Sequence, residues 1–243
     1  MGYMSEKVSL LNASLHQVRA GWSDRLEIDI SSLQNPGLTF VAREGSYGVT
    51  ILKFFDSTIA ICQPSLLPIL SLLSPANLLD MPLLLKVLSG RKINPVGIAS
   101  ISYADENTLK GAQYSDATHL SNLQEAQSIL SSCTESEQEE SGIAEMSFYF
   151  ATDSANGKAG AIAGYEVWNG KIAQLGVVTR PEHRGQGLAS MVAHTAAKSA
   201  IDTGLIAQWR CQLGNMSSYQ LSQKLGFHEV GLQLAIDVAP SSN

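Results

Sequence analysis

The stretch Thr179-Arg180-Pro181-Glu182-His183-Arg184-Gly185-Gln186-Gly187-Leu188-Ala189 decides how the C-terminal half of this 243-residue chain is read. It lies between an apolar run, 171–178, and an alanine-rich run, 188–203, so it joins a strand to a helix. At such a junction successive backbone N–H groups and the helix dipole form a ready anion site, and glycines let a phosphate approach the backbone closely. A phosphate-bearing ligand follows. A Walker loop would end in Gly-Lys-Ser/Thr, which is absent. A dinucleotide fingerprint would need a third glycine where Ser190 stands, and an acid about twenty residues on, where Gln208 and Trp209 stand instead.

Working outward, 147–151, 160–168 and 171–178 read as strands. Asn169-Gly170 joins the last two as a hairpin, because both central positions of a type I′ turn need positive φ. Downstream, 206–212 reads as a strand, 217–225 as a helix and 227–238 as a final strand. Upstream, apolar residues at 120, 123, 126, 129 and 130 predict a helix over 116–132 with one buried face, and the acidic 134–142 predicts a solvated helix or loop.

The first half reads as strands at 38–43, 48–54 and 58–63, separated by Glu44-Gly45-Ser46-Tyr47 and Asp56-Ser57, which predicts a small antiparallel meander. The most apolar stretch, 66–88, is interrupted by Pro68, Pro75 and Pro82. It therefore predicts short buried helices rather than one membrane span, with Ser74 and Asp80 as N-caps and Gly90 as the stop. Residues 95–103 read as another strand and 104–115 as a polar connection. The expected class is α/β (α+β), with an N-terminal α/β region of unknown role over 1–115 and a second domain over 116–243.

Charged residues make up 16% of the chain, and 16 Lys and Arg against 22 Asp and Glu leave a net charge of −6 with no basic run. DNA, RNA and anionic membranes are thereby disfavoured as partners. Cys62, Cys133 and Cys211 are widely spaced and lack a zinc pattern, and His16, His119, His183, His194 and His228 form no i,i+4 pair. These read as reduced, buried thiols in a cytoplasmic protein with no metal. Residues 1–7 lack the apolar core of a signal peptide.

With those residues in place, the sequence resembles the GNAT superfamily of N-acetyltransferases, whose signature for the acyl-CoA pyrophosphate is Arg/Gln-x-x-Gly-x-Gly/Ala. Arg184, Gly187 and Ala189 match it in register, and Pro181-Glu182-His183 resembles the Pro-Glu-Tyr that usually precedes it. A second match is Asn215-Met216-Ser217-Ser218 followed by Leu225-Gly226-Phe227, similar to the family's Asn-x-x-Ser/Ala helix start and closing Gly-Phe. The resemblance covers about 116–238. Trp209-x-Cys211 before Asn215 is similar to a bacterial subgroup with an extra N-terminal region.

The resemblance implies a mixed, mostly antiparallel sheet, flanked by helices and splayed open between its fourth and fifth strands, here 171–178 and 206–212. It implies acetyl-CoA as co-substrate in that cleft, with its pantetheine arm on main-chain groups of Val177, Val178 and Thr179. The pyrophosphate would rest on Arg184, Gly185, Gln186, Gly187, Leu188 and Ala189, and Asn215 and Ser218 would also bind the cofactor. An N–H near Val178 would stabilise the oxyanion. The implied activity is acetyl transfer to a small-molecule or peptide amine by direct attack in a ternary complex, with a homodimer as a further assembly. A non-catalytic acyl-CoA sensor or scaffold is the alternative.

Catalytic side chains depart from the family pattern. The position that holds a thiolate-protonating Tyr in many members is Ser222, a poor general acid, and Tyr219 on the helix flank is the substitute candidate. Its plainer account is a packing aromatic. Glu166 and Glu145 are the available carboxylates for a general base, against the plainer account of exposed strand charges. His183 reads as a loop residue or phosphate neighbour, and Trp209 as core.

Overall fold

The computed structural model describes residues 9–46, 48–111, 118–154 and 157–239. The readings of 1–7, Tyr47, 112–115 and Asp116 lie outside them, as does the boundary expected at 115/116. The chain packs as two units that interleave in sequence, one of 1–21, 102–211 and 216–228, the other of 22–101, 212–215 and 229–243.

The first helices are α1 (Asn12–Leu26) and α2 (Ser31–Gln34). In the second unit, β1 (Gly37–Ala42), β2 (Gly48–Phe54) and β3 (Ser57–Cys62) follow, but not as a meander. β2 and β3 form the antiparallel hairpin, whereas β1 pairs with β3 in parallel, from Gly37↔Ser57 to Ala42↔Cys62. The reason is that the other edge of β2 is taken by the C-terminal strand, which pairs with it from Gly231↔Phe54 to Asp237↔Gly48, so only the outer edge of β3 is left for β1. The prolines do set helix starts. Ser74 Oγ accepts the Asn77 N–H ahead of α4 (Pro75–Leu78), and Asp80 accepts the Leu83 N–H ahead of α5 (Met81–Val87). With α3 (Leu67–Leu70), they bury Leu70, Leu78, Leu84 and Leu88 against Ile51 and Leu234. This apolar stretch is thus a domain core. No helix among the described residues is long and apolar enough to cross a membrane.

The chain passes between the units within β4 (Ile93–Ala104). The expected helix over 116–132 proves to be two elements, β5 (Thr118–Ser121) and α6 (Leu123–Leu130). Asn122 accepts the Glu125 N–H and starts the helix there, and Thr118–Ser121 pair instead with the next strand, which leaves Leu120 75% exposed. The acidic run forms α7 (Glu135–Ser141), opened by a Thr134/Glu137 capping box and closed by Gly142 in the left-handed region.

The remaining elements are β6 (Phe148–Asp153), β7 (Ala159–Trp168), β8 (Ile172–Thr179), α8 (Leu188–Asp202), β9 (Ile206–Gln212), α9 (Met216–Lys224) and β10 (His228–Val238). Asn169 and Gly170 have φ of 50° and 65°, as the hairpin requires. In the first unit the strand order is β9-β8-β7-β6-β5, antiparallel throughout except that β8 and β9 run parallel. The buried alanine face of α8 packs on Ala161, Ala163, Ala173 and Ala207. Small residues on both sides let helix and sheet approach closely, which fixes the head of α8 relative to the end of β8. The fold is a mixed α/β arrangement, a large mostly antiparallel sheet with flanking helices. Cys62, Cys133 and Cys211 are free and buried, and burial pushes the Cys62 thiol pKa up.

Candidate functional site

β8 and β9 pair over only three residues, Ile172↔Ile206, Ala173↔Ala207 and Gln174↔Gln208. The next pair, Leu175 with Trp209, does not form, so the strands part where the splay was expected. Which main-chain groups face the opening follows from the ladder. In an antiparallel pair a residue's N–H and C=O point to one neighbour, and the next residue's point away. The Arg180 N–H donates to the Gly160 C=O at 2.9 Å, on the β7 side, and the Ile206 N–H donates to the Lys171 C=O at 3.0 Å, on the β9 side. Both anchors give the same alternation. Leu175, Val177 and Thr179 face the opening, and Val178 faces β7, with its side chain buried. Of the three residues expected to meet pantetheine, Val177 and Thr179 turn their main-chain groups to the opening and Val178 turns its own to β7.

β8 leads through a single turn, Pro181–His183, to the glycines. Gly185 and Gly187 have φ of +77° and +82°, and a Cβ on either would meet nothing within 4 Å. That left-handed conformation is why glycine stands at both positions. Gly187 is the N-cap of α8 and offers no side-chain cap, and no acid lies in the first turn. Its C=O accepts the Ser190 and Met191 N–H groups, so those of Leu188 and Ala189 precede the first intrahelical bonds. Gln186 is exposed, Leu188 is buried in the core and Ala189 is half-buried. Beside the loop, Thr179 Oγ1 and His183 Nδ1 are buried with no hydrogen-bond partner among the described residues. His183 packs against Gly160, where a Cβ would lie 3.0 Å from Nδ1.

Arg184 does not point freely from the loop. Its guanidinium forms an ion pair with Glu137 of α7 at 2.8 Å, and its Nε donates to the Thr179 C=O at 3.4 Å. The Glu137 carboxyl is held below its usual range chiefly by the hydrogen bond from the Thr134 N–H, then by the Thr134 hydroxyl, with Arg184 adding to both. The acidic run is thus tied to the signature loop. α7 also packs close to the open edge, since a Cβ on Gly176 would lie 2.2 Å from the Ser141 carbonyl oxygen.

The catalytic candidates lie on three elements, β7, the turn Ile143–Glu145 and α9. Glu166 stands opposite Gln174 in the β7–β8 register, so their side chains share a face beside the point where the strands part. Its Oε2 accepts the Trp168 indole N–H at 2.9 Å. Glu145 is exposed in the short turn Ile143–Glu145. Tyr219 is half-buried and packs against the core cluster, as a packing aromatic does. Ser222 is fully buried, and its hydroxyl donates to the Tyr219 C=O at 2.8 Å. Trp209 is core, edge-on to Phe227, with its indole N–H donating to Ser218 Oγ at 3.0 Å. Asn215 immediately precedes α9, and its N–H donates to the Gln212 C=O. Among the described residues no group of three or more His, Cys, Asp or Glu is arranged to hold a metal ion.

β8 thus parts from β9 and runs into an uncapped, glycine-bounded helix head. Residues 158–232 match the family model described as GNAT acetyltransferase. Over 58 residues it is 38% identical to the uncharacterized N-acetyltransferase YdfB of Bacillus subtilis (strain 168), a stretch that covers 24% of this chain and 22% of that protein. An acetyltransferase of the GNAT family from Novosphingobium aromaticivorans DSM 12444 aligns with a TM-score of 0.48 at 18% identity, covering 61% of this chain and 68% of its own. A GCN5-related N-acetyltransferase-like protein from Streptococcus suis 89/1591 aligns with a TM-score of 0.45 at 15% identity, over 93% of this chain and 99% of its own.

Proposed function

We propose that the chain moves the acetyl group of acetyl-CoA onto a primary amine by direct attack in a ternary complex. The observation that supports this best is the stretch of β8 from Leu175 to Thr179, which lacks a β9 partner and leads directly to the glycines at the head of α8. The pantetheine amides add to that edge as a further strand would, on Val177 and Thr179. The pyrophosphate lies on N–H groups between Gly185 and Ala189, where the empty space around Gly185 and Gly187 admits it. Because Glu137 holds Arg184, main-chain donors carry more of the phosphate charge than that guanidinium does. Asn215 and Ser218 are the further contacts we assign to the cofactor.

In the reaction a neutral amine attacks the thioester carbonyl, a C–N bond forms, the C–S bond breaks, and CoA leaves as thiolate. We assign to Glu166 the proton of the ammonium, taken directly or through water. The oxyanion of the tetrahedral intermediate is met by an N–H of the open edge, from Val177 or Thr179. The proton that nitrogen loses as the amide forms reaches the thiolate through water, since the Ser222 hydroxyl is committed to a carbonyl and the Tyr219 ring packs half-buried against the core. A CoA thiolate is only weakly basic and leaves without prior protonation. The acceptor is a small-molecule or peptide amine, and three free thiols suit a cytoplasmic setting.

The absence of a placed acid also favours a second reading, a protein that binds acyl-CoA without turning it over. Incubation with acetyl-CoA and a panel of primary amines, with free thiol as the readout, separates the two. Amine-dependent thiol release is the expected result. Tight acetyl-CoA binding without it would establish the sensor reading, and no binding at all would overturn both.

A further inference from the structure

The strands part at a place marked by three polar side chains in an apolar setting. Gln174 on β8 is 9% exposed, while Gln208 on β9 and Tyr103 on β4 are fully buried. Their hydrogen bonds run in one direction. The Tyr103 hydroxyl donates to Gln208 Oε1, Gln208 Nε2 donates to Gln174 Oε1 at 2.5 Å, and Gln174 Nε2 donates to the Leu175 C=O at 2.8 Å. That last acceptor is the telling one. The alternation of the ladder turns the Leu175 C=O toward β9, and it is the first acceptor beyond the last β8–β9 pair. A buried carbonyl needs a donor. Here the donor is a side chain of the same strand, where continued pairing would bring a main-chain N–H of β9.

We infer that Gln174, braced by Gln208 and Tyr103, is a spacer that ends the β8–β9 ladder and holds open the edge on which the pantetheine arm is bound. The bracing is directional, because each amide uses its oxygen to accept from the group behind and its nitrogen to donate ahead. Gln174 therefore has one orientation, with its NH₂ toward Leu175. These are positioning residues. They set how many main-chain groups of β8 the pantetheine meets without touching the reacting atoms. The inference rests on the acyl-CoA reading for its consequence, though not for its geometry.

The experiment compares wild type with Gln174→Met, which keeps side-chain length and removes the donor, and with Gln208→Met, which leaves the donor but removes its brace. Two readouts are used: cross-strand amide contacts between Leu175 and Trp209 by NMR, and calorimetric titration with acetyl-CoA and with adenosine 3′,5′-bisphosphate, which lacks the pantetheine arm. In Gln174→Met we expect the Leu175–Trp209 contact to appear, acetyl-CoA affinity to fall at least about tenfold, and the bisphosphate affinity to stay within about twofold. Gln208→Met should shift the same way by less. A ladder that still ends at Gln174 in both variants would overturn the inference, as would parallel losses for the two ligands. Should wild type bind neither ligand while the ladder still extends in Gln174→Met, the acyl-CoA reading fails and the spacer stands.

Discussion

From Ile172 to Gln174, β8 is an interior strand with β7 on one side and β9 on the other, whereas from Leu175 to Thr179 it keeps β7 and loses β9. Both halves are made of the same kinds of residue, so strand propensity does not explain the difference. What changes is the source of donors for the main chain. In the first half they come from a neighbouring strand, and at Leu175 from the Gln174 side chain. Beyond that point Val177 and Thr179 face away from β7 with no β9 pair, and we assign them to a ligand. A strand edge can thus be freed by interrupting a ladder, with the first acceptor past the interruption satisfied by a side chain of the same strand.

The largest effect that sharpens this contrast is Gly187→Glu. Its φ of +82° makes any other residue strained, at about 1–2 kcal/mol, but open space around the Cβ position lets the fold survive. The carboxylate would then occupy the phosphate position, and acetyl-CoA affinity should fall at least about a thousandfold, roughly 4 kcal/mol by titration, with a melting temperature only modestly lowered. Unchanged affinity would reject the loop assignment. Next, Glu166→Gln should lower kcat by about a hundredfold while the KM for acetyl-CoA holds, the signature of a base that acts in chemistry and not in binding. A variant with wild-type kcat would reduce Glu166 to a partner of Trp168.

Smaller effects test the acidic helix and the α9 flank. Thr134→Ala removes the α7 cap and should cost about 1 kcal/mol in denaturant unfolding. The contribution of Glu137 has a definite pH direction. Its folded pKa is depressed, so the stability it adds is present above the ordinary carboxylate range and is lost as the pH falls through the depressed value. Glu137→Gln should flatten that acid limb of the stability profile. Tyr219→Phe should change kcat by less than about twofold, because the half-buried ring packs against the core and is not assigned the thiolate proton. A larger drop would return Tyr219 to the catalytic set.

Much of this was legible in the residues, and for identifiable reasons. Asn169-Gly170, Ser74-Pro75 and Gly185-Gln186-Gly187 are local signals whose backbone demands do not depend on distant partners, and they formed where expected. Pairing partners were not legible. Nothing in 38–63 reveals that β10 occupies an edge of β2, and that distant strand is what turned the expected meander into a parallel β1–β3 pair. Similarly, Leu120 falls in phase with the α6 stripe by spacing alone, while Asn122 caps the helix after it. At α1, Val18 and Trp22 are buried, but apolar residues are too sparse there to mark a face.

For the candidate site, the loop was readable because glycine spacing encodes main-chain geometry. Gln174 and Gln208 were visible as polar residues inside apolar strand runs, a signal that gained meaning only once the register placed them side by side. The link between Arg184 and Glu137 spans 47 residues of sequence and had no local signature.

We propose that acetyl-CoA pairs with the open half of β8 and the head of α8. Residue-resolved amide hydrogen exchange with and without acetyl-CoA tests it most directly. New protection is expected at Val177 or Thr179 and at Leu188 and Ala189, with none added at Val178, whose N–H is already turned toward β7. Protection confined to other segments, or an unchanged pattern at saturating ligand, would contradict it.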